Sequence, residues 1–130
     1  MAQTPGELAA LLGPLADAGL TAFHVSTRRY WLPGFDGSPR TLAGWTRHLT
    51  GLPVIALGSA GVAAPFLEGP AAASKSLSLA PLLDLFERGE FDLVALGRAL
   101  LSEPQWPAKL HARELDAIRP YDKADEKQLY

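Results

Sequence analysis

Two stretches of the sequence share one pattern: Ile55-Ala56-Leu57-Gly58-Ser59-Ala60 and Val94-Ala95-Leu96-Gly97-Arg98-Ala99. In each, an apolar run ends on a glycine, followed by a polar or charged residue and an alanine. Glycine lets a ligand approach the bare backbone, and N–H groups at the start of a following helix attract anions. Arg98 adds a permanent charge whose planar donors suit phosphate. Taken singly, each stretch reads more readily as an ordinary strand-ending glycine. As a pair, one helix–strand unit apart, they point to anion binding by Gly58, Ser59, Gly97 and Arg98. A second group, Arg28, Arg29, Tyr30 and Trp31, lies in residues 27–39 among two prolines and two glycines, which is loop chemistry.

Other chemistry is poorly served. There are no cysteines, which excludes a disulfide framework, a thiolate metal site and a cysteine nucleophile. His24, His48 and His111 are far apart, and no H-E-x-x-H spacing occurs, so no metal site is expected. Ser26 and Ser59 lack the G-x-S-x-G turn of a serine nucleophile. His24, within an apolar run, is expected to be a hydrogen-bonded core residue, and His48 and His111 surface residues. Trp45 and Trp106 read as packing residues, and Trp31 as either a rim or a cap residue. Glu87, Arg88 and Glu90 read as a solvated helix end, and Asp92, opening a strand, as the partner of a neighbouring base.

These residues need elements to position them. Thr4, Pro5 and Glu7 form a capping box opening a helix, with Leu8, Leu11, Leu12 and Leu15 on one apolar face and Gly19 just past its end. Pro14 inside it removes a backbone donor, so a kink or a shortened turn is expected there. Residues 20–26 (LTAFHVS) read as a strand, 41–49 as a short helix ending before Gly51, and 53–57 as a second strand. Residues 58–76 read as a long Gly/Ala/Ser/Pro loop. Leu79, Leu82, Leu83 and Phe86 then repeat a helical spacing closed by Gly89, and 91–96 is a third strand. A short helix follows at GRALL, a last one runs from Pro107 to about Ala117, and 118–130 forms a polar tail with 122–127 on the surface. Strands apolar on both faces that alternate with helices indicate a parallel sheet covered by helices. Alternation alone does not separate an open doubly wound sheet from part of a closed barrel. An open nucleotide-binding sheet would carry G-x-G-x-x-G after its first strand, and that pattern is missing. Two glycine loops on consecutive strands instead suit the phosphate site after strands seven and eight of a (β/α)₈ barrel.

The chain has 130 residues, 48% of them apolar and 20% charged, with a net charge of −2. This is the composition of one globular domain, with no basic field for nucleic acid or an anionic membrane. The apolar runs fall far short of the roughly 20 residues that cross a bilayer. MAQTPGE has neither the charged nor the apolar region of a secretory signal, so a cytoplasmic location is expected.

FHVSTRRYW, LAGWTRHLTGLPVIALGSAGV and FDLVALGRALLSEPQWPAKL resemble, in order and spacing, the C-terminal third of the Old Yellow Enzyme family. These are FMN-dependent NAD(P)H oxidoreductases, or ene-reductases, built on a (β/α)₈ barrel. The resemblance implies that the chain carries barrel strands six to eight as a single partial domain. It implies that Gly58 and Ser59 form one half of the FMN phosphate site and that Gly97 and Arg98 form the other, with Arg98 also against the flavin. Arg28, Arg29 and Trp31 would lie on the loop after strand six, at the active-site rim. There the two arginines either approach substrate or nicotinamide, or form a salt-bridged or solvated pair. A full barrel needs about 250 residues. Strands one to five, which in the family supply the His/Asn or His/His substrate pair and the tyrosine proton donor, have no counterpart here. None of the three histidines matches that pair, so no catalytic residue is assigned. The implied activity is reduction of activated alkenes, with NAD(P)H as reductant, and closure of the barrel would be restored by a complementing half-barrel chain carrying strands one to five or by self-association of two halves. The alternative is a non-catalytic remnant or a phosphate-binding half-barrel module.

Overall fold

The computed structural model describes residues 2–60 and 79–127 of the chain. Its elements alternate: α1 (Pro5–Asp17), β1 (Phe23–Ser26), α2 (Leu42–Thr50), β2 (Val54–Leu57), α3 (Ala80–Glu87), β3 (Leu93–Val94), α4 (Ala99–Ser102) and α5 (Trp106–His111). Two 3₁₀ turns, Leu115–Ala117 and Lys123–Lys127, complete the order. The expected loop lies outside the described residues over 61–76, as does the end of the tail over 128–130.

The start of α1 follows its sequence signals. Thr4 accepts a hydrogen bond from the Glu7 amide, and Glu7 reaches back to the Gln3 amide. The helix runs through Pro14 to Asp17 without a break. Gly19, Gly51 and Gly89 take left-handed backbone at or just past the ends of three helices, the conformation that glycine adopts without strain.

β1, β2 and β3 form one parallel sheet in that order, with Phe23 beside Val54, Ile55 beside Leu93 and Ala56 beside Val94. The register fixes two faces. Phe23, Val25, Val54, Ala56 and Val94 point one way, into a core shared with Leu8 and Leu12 of α1, Ala43 of α2, Leu85 of α3 and Phe91. His24, Ser26, Ile55, Leu57 and Leu93 point the other way. There His24 and Ser26 are exposed, Ile55 and Leu57 are half-buried, and Leu93 is 61% exposed. Among the described residues, α1, α2 and α3 pack on one face of this sheet, where the sequence led us to expect both faces to be buried. For the same reason His24 is not a core histidine: it stands on the uncovered face of an edge strand. The helices show the same one-sidedness. Leu11 and Leu15 of α1, and Leu83 and Phe86 of α3, are exposed although their spacing placed them on core faces.

Two carboxylates outside the helices tie this core together. Asp92 accepts from the Val54 amide at 2.9 Å and from Arg47 Nε of α2 at 3.1 Å, so it is the paired strand-opening acid the sequence suggested. Glu90 is not merely solvated: it accepts from both the amide and the hydroxyl of Thr41, at 2.7 Å each, at the start of α2. Gly44 leaves room for it, since a Cβ there would stand 2.0 Å from the Glu90 carboxylate.

The described residues group into two compact units. The first takes in residues 2–58 and Ala80–Ala95, and it holds the sheet and the core just described. The second takes in Ser59, Ala60, Leu79 and residues 96–127. Its small apolar centre is Ala99, Trp106 and Ile118, flanked by Leu79, Leu96, Leu100 and Leu110. The last helix is shorter than expected. It ends at His111, and Arg113 takes a left-handed φ of 62° that an α-helix cannot continue through. Residues 122–127 do not lie wholly on the surface, because Asp125 is 5% exposed.

Candidate anion site at the strand ends

Parallel pairing sends the chain out of all three strands at the same, C-terminal, end of the sheet. Ligands of α/β folds gather there, because loops at that end can vary while the strands hold them in place. β1 leads into the segment with Arg28, Arg29 and Trp31, β2 into Gly58-Ser59, and β3 into Gly97-Arg98. Ala56 pairs with Val94, so the two glycines lie two and three positions beyond a paired residue.

The two glycines are held by different causes. A Cβ on Gly58 would come within 2.6 Å of the Thr27 carbonyl and 2.9 Å of the Tyr30 amide. The Tyr30 amide donates to the Gly58 carbonyl at 3.1 Å, and the Thr27 amide to Leu57 at 2.8 Å. Gly58 is thus required by the packing of the β1 loop against the end of β2. Gly97 is different. It is exposed, its φ lies outside the left-handed region, and no atom of the described residues comes within 4 Å of where its Cβ would be. Among the described residues, neither conformation nor crowding calls for glycine at 97. Ser59 takes a left-handed φ of 59°, uncommon for a residue with a side chain.

Arg98 is half-buried beside Gly97, with its guanidinium over the ring of Tyr121, 5.3 Å from the centroid. Tyr121 in turn donates its hydroxyl to Glu126. Burial, followed by the Glu126 carboxylate, pushes the Tyr121 hydroxyl pKa up, while Arg98 pulls against them. Because α4 has only four residues, any hold on an anion here rests on Arg98 and the open backbone rather than on a helix dipole.

A polar network pins the surrounding segment. The buried Glu103 carboxylate accepts from Lys109, from the Arg119 amide and from the Gln105 amide. Lys109 first, then the Arg119 amide, holds the Glu103 pKa below the ordinary carboxylate range. Lys109 also donates to the Ala117 carbonyl at 2.8 Å. Arg119 pairs with the buried Asp125 at 2.9 Å, and the Asp122 amide donates to the Ser102 hydroxyl at 2.8 Å.

At the expected rim, Arg28 is exposed, Arg29 is half-buried and Trp31 is exposed, packed edge-on against Tyr30 at 5.0 Å. His48 and His111 are exposed on helices, as expected, while Trp106 is buried and Trp45 packs against the first core. Ser59, Gly97 and Arg98 belong to the second unit; Gly58, Arg28, Arg29 and Trp31 belong to the first. Sequence reasoning passed over Tyr121, Glu103, Lys109 and Arg119. The one available signal was Tyr121, an aromatic residue just before the largely polar run 122–128.

Comparison with protein-family models gives no match for this chain, and comparison with curated proteins gives none either.

Proposed function

We propose that this chain is the C-terminal (β/α) portion of an Old Yellow Enzyme-type flavoprotein, holding the FMN phosphate through Ser59, Gly97 and Arg98. In this reading Gly58 shapes the loop from β2 by admitting the Thr27–Tyr30 backbone. The observation that carries it is Gly97: a glycine for which the described residues show no conformational or packing cause, next to an arginine, just past the C-terminal end of a parallel strand. Such a position accommodates a phosphate against bare backbone, with the Arg98 charge beside it. The one-sided cover of the sheet supports the barrel reading, since consecutive barrel strands carry helices outside and turn their other face inward. On that view His24, Ile55 and Leu93 face the interior, and Arg28, Arg29 and Trp31 stand at the rim, toward substrate or nicotinamide.

When bound, the flavin supplies hydride transfer from NAD(P)H to an activated alkene, and the protein supplies position and charge. The part of this chain is anchoring. The residues that bind the substrate's activating group and deliver the proton would come from strands one to five of the barrel. A second reading, a phosphate-binding module without catalysis, is favoured by the histidines: His24 is on the open sheet face, and His48 and His111 are on helix surfaces.

Gel filtration with excess FMN, following protein and flavin absorbance together, tests the site. Flavin should travel with the protein, and Arg98→Ala should weaken its binding by about 1.5–3 kcal/mol, the range of a charge-assisted contact. Flavin eluting apart from folded protein would overturn the site. Co-eluting flavin that NAD(P)H does not reduce would select the module over the enzyme.

A further inference from the structure

We infer that Tyr121 is a positioning residue for Arg98. Its ring holds the guanidinium in the orientation that the phosphate contact needs, an inference resting on the phosphate-site reading above. An arginine side chain has several rotatable bonds, and ordering it at the moment of binding costs affinity. A guanidinium over an aromatic face is held by the ring quadrupole, and its N–H donors stay in its own plane, where a bidentate contact to an oxyanion forms. Arg98 lies over Tyr121 at 5.3 Å from the ring centroid and also reaches the Tyr121 hydroxyl, so the Phe substitution, which keeps the ring alone, separates the two contacts.

Tyr121 can act as a support because it is itself fixed. Its hydroxyl donates to Glu126, in the 3₁₀ turn Lys123–Lys127. Its neighbours on both sides bind α4, the helix that Arg98 opens. The Asp122 amide donates to the Ser102 hydroxyl at 2.8 Å, and Arg119 donates to the Ser102 carbonyl at 3.4 Å. Arg119 is anchored further by Asp125, and its amide by Glu103. The C-terminal segment is therefore folded back onto the helix that Arg98 caps, and Tyr121, its one aromatic ring among the described residues, meets that charge.

Riboflavin differs from FMN only in lacking the phosphate, so the ratio of the two affinities isolates the phosphate contact from the rest of the flavin. The ratio is to be measured by flavin fluorescence for the full chain, Arg98→Ala, Tyr121→Leu and Tyr121→Phe, with thermal melting of each. Wild type should prefer FMN, and Arg98→Ala should bring the ratio close to one. Tyr121→Leu should lower it by about three- to tenfold with riboflavin affinity unchanged, and Tyr121→Phe, which keeps the ring, should stay within about twofold of wild type. If Tyr121→Leu melts uncooperatively, Tyr121→Gln takes its place under the same criterion. A ratio lost in Arg98→Ala but kept without the aromatic ring overturns this inference and leaves the phosphate site standing. A ratio lost equally in Tyr121→Phe overturns the ring as the cause. A wild-type ratio near one overturns the phosphate site, and this inference with it.

Discussion

Asp92 joins three pieces of chain with one carboxylate: it opens β3, accepts from the first amide of β2, and pairs with Arg47 on α2. The Val54 amide, and then Arg47, hold its pKa below the ordinary carboxylate value. A carboxylate with a depressed folded pKa stabilises the fold above its unfolded pKa of about 3.9 and loses that contribution as pH falls through the folded value. Urea midpoints should therefore fall below about pH 4, and Asp92→Asn should lower the midpoint at pH 7 while flattening this acid limb. Glu90 offers a sharper test. Gly44→Ala should destabilise by about 1 kcal/mol by displacing the Glu90 carboxylate from Thr41, although alanine is the better helix former. In a Glu90→Ala background the same substitution should become neutral or stabilising, since the obstacle is gone. Asp92 was legible in the sequence because a charge at the start of an apolar strand needs a partner. Glu90 was not, because its partner Thr41 lies 49 residues away.

At the scale of elements, local signals were read correctly where their cause is local. The Thr4 cap, the left-handed Gly19, Gly51 and Gly89, and the order of strands and helices depend on side chains and backbone within one or two turns. Pro14 shows the limit of this. The helix continues through it, at the cost of the hydrogen bond its nitrogen cannot donate. Because Pro14 is exposed, Pro14→Ala should restore that bond without repacking and raise stability by about 2 kcal/mol, read as a higher urea midpoint. The third strand was over-extended in the sequence reading. Residues 91–96 are apolar apart from Asp92, yet Leu93–Val94 alone pair as strand, because pairing depends on the neighbour's length and register.

For the molecule as a whole, the most consequential feature is what the first unit leaves uncovered. β1 and β3 are both edges of the three-stranded sheet, its second face carries the exposed Leu93, and α1 and α3 expose Leu11, Leu15, Leu83 and Phe86. Free strand edges and exposed large apolar side chains favour association. The weight-average mass in sedimentation velocity should rise with protein concentration, and Leu93→Glu should reduce that rise. A concentration-independent monomer would count against an incomplete barrel. No helix among the described residues is long and apolar enough to cross a membrane. By itself the sequence determined the alternation of strands and helices, the helix ends and the two glycine-ended strands, because periodicity and capping act over a few residues. Only the tertiary structure decided that, among the described residues, one sheet face is covered and the other exposed, that packing demands Gly58 and leaves Gly97 uncrowded, and that Tyr121 lies under Arg98. Those outcomes depend on which distant segments meet, and 23 positions separate Arg98 from the tyrosine that holds it.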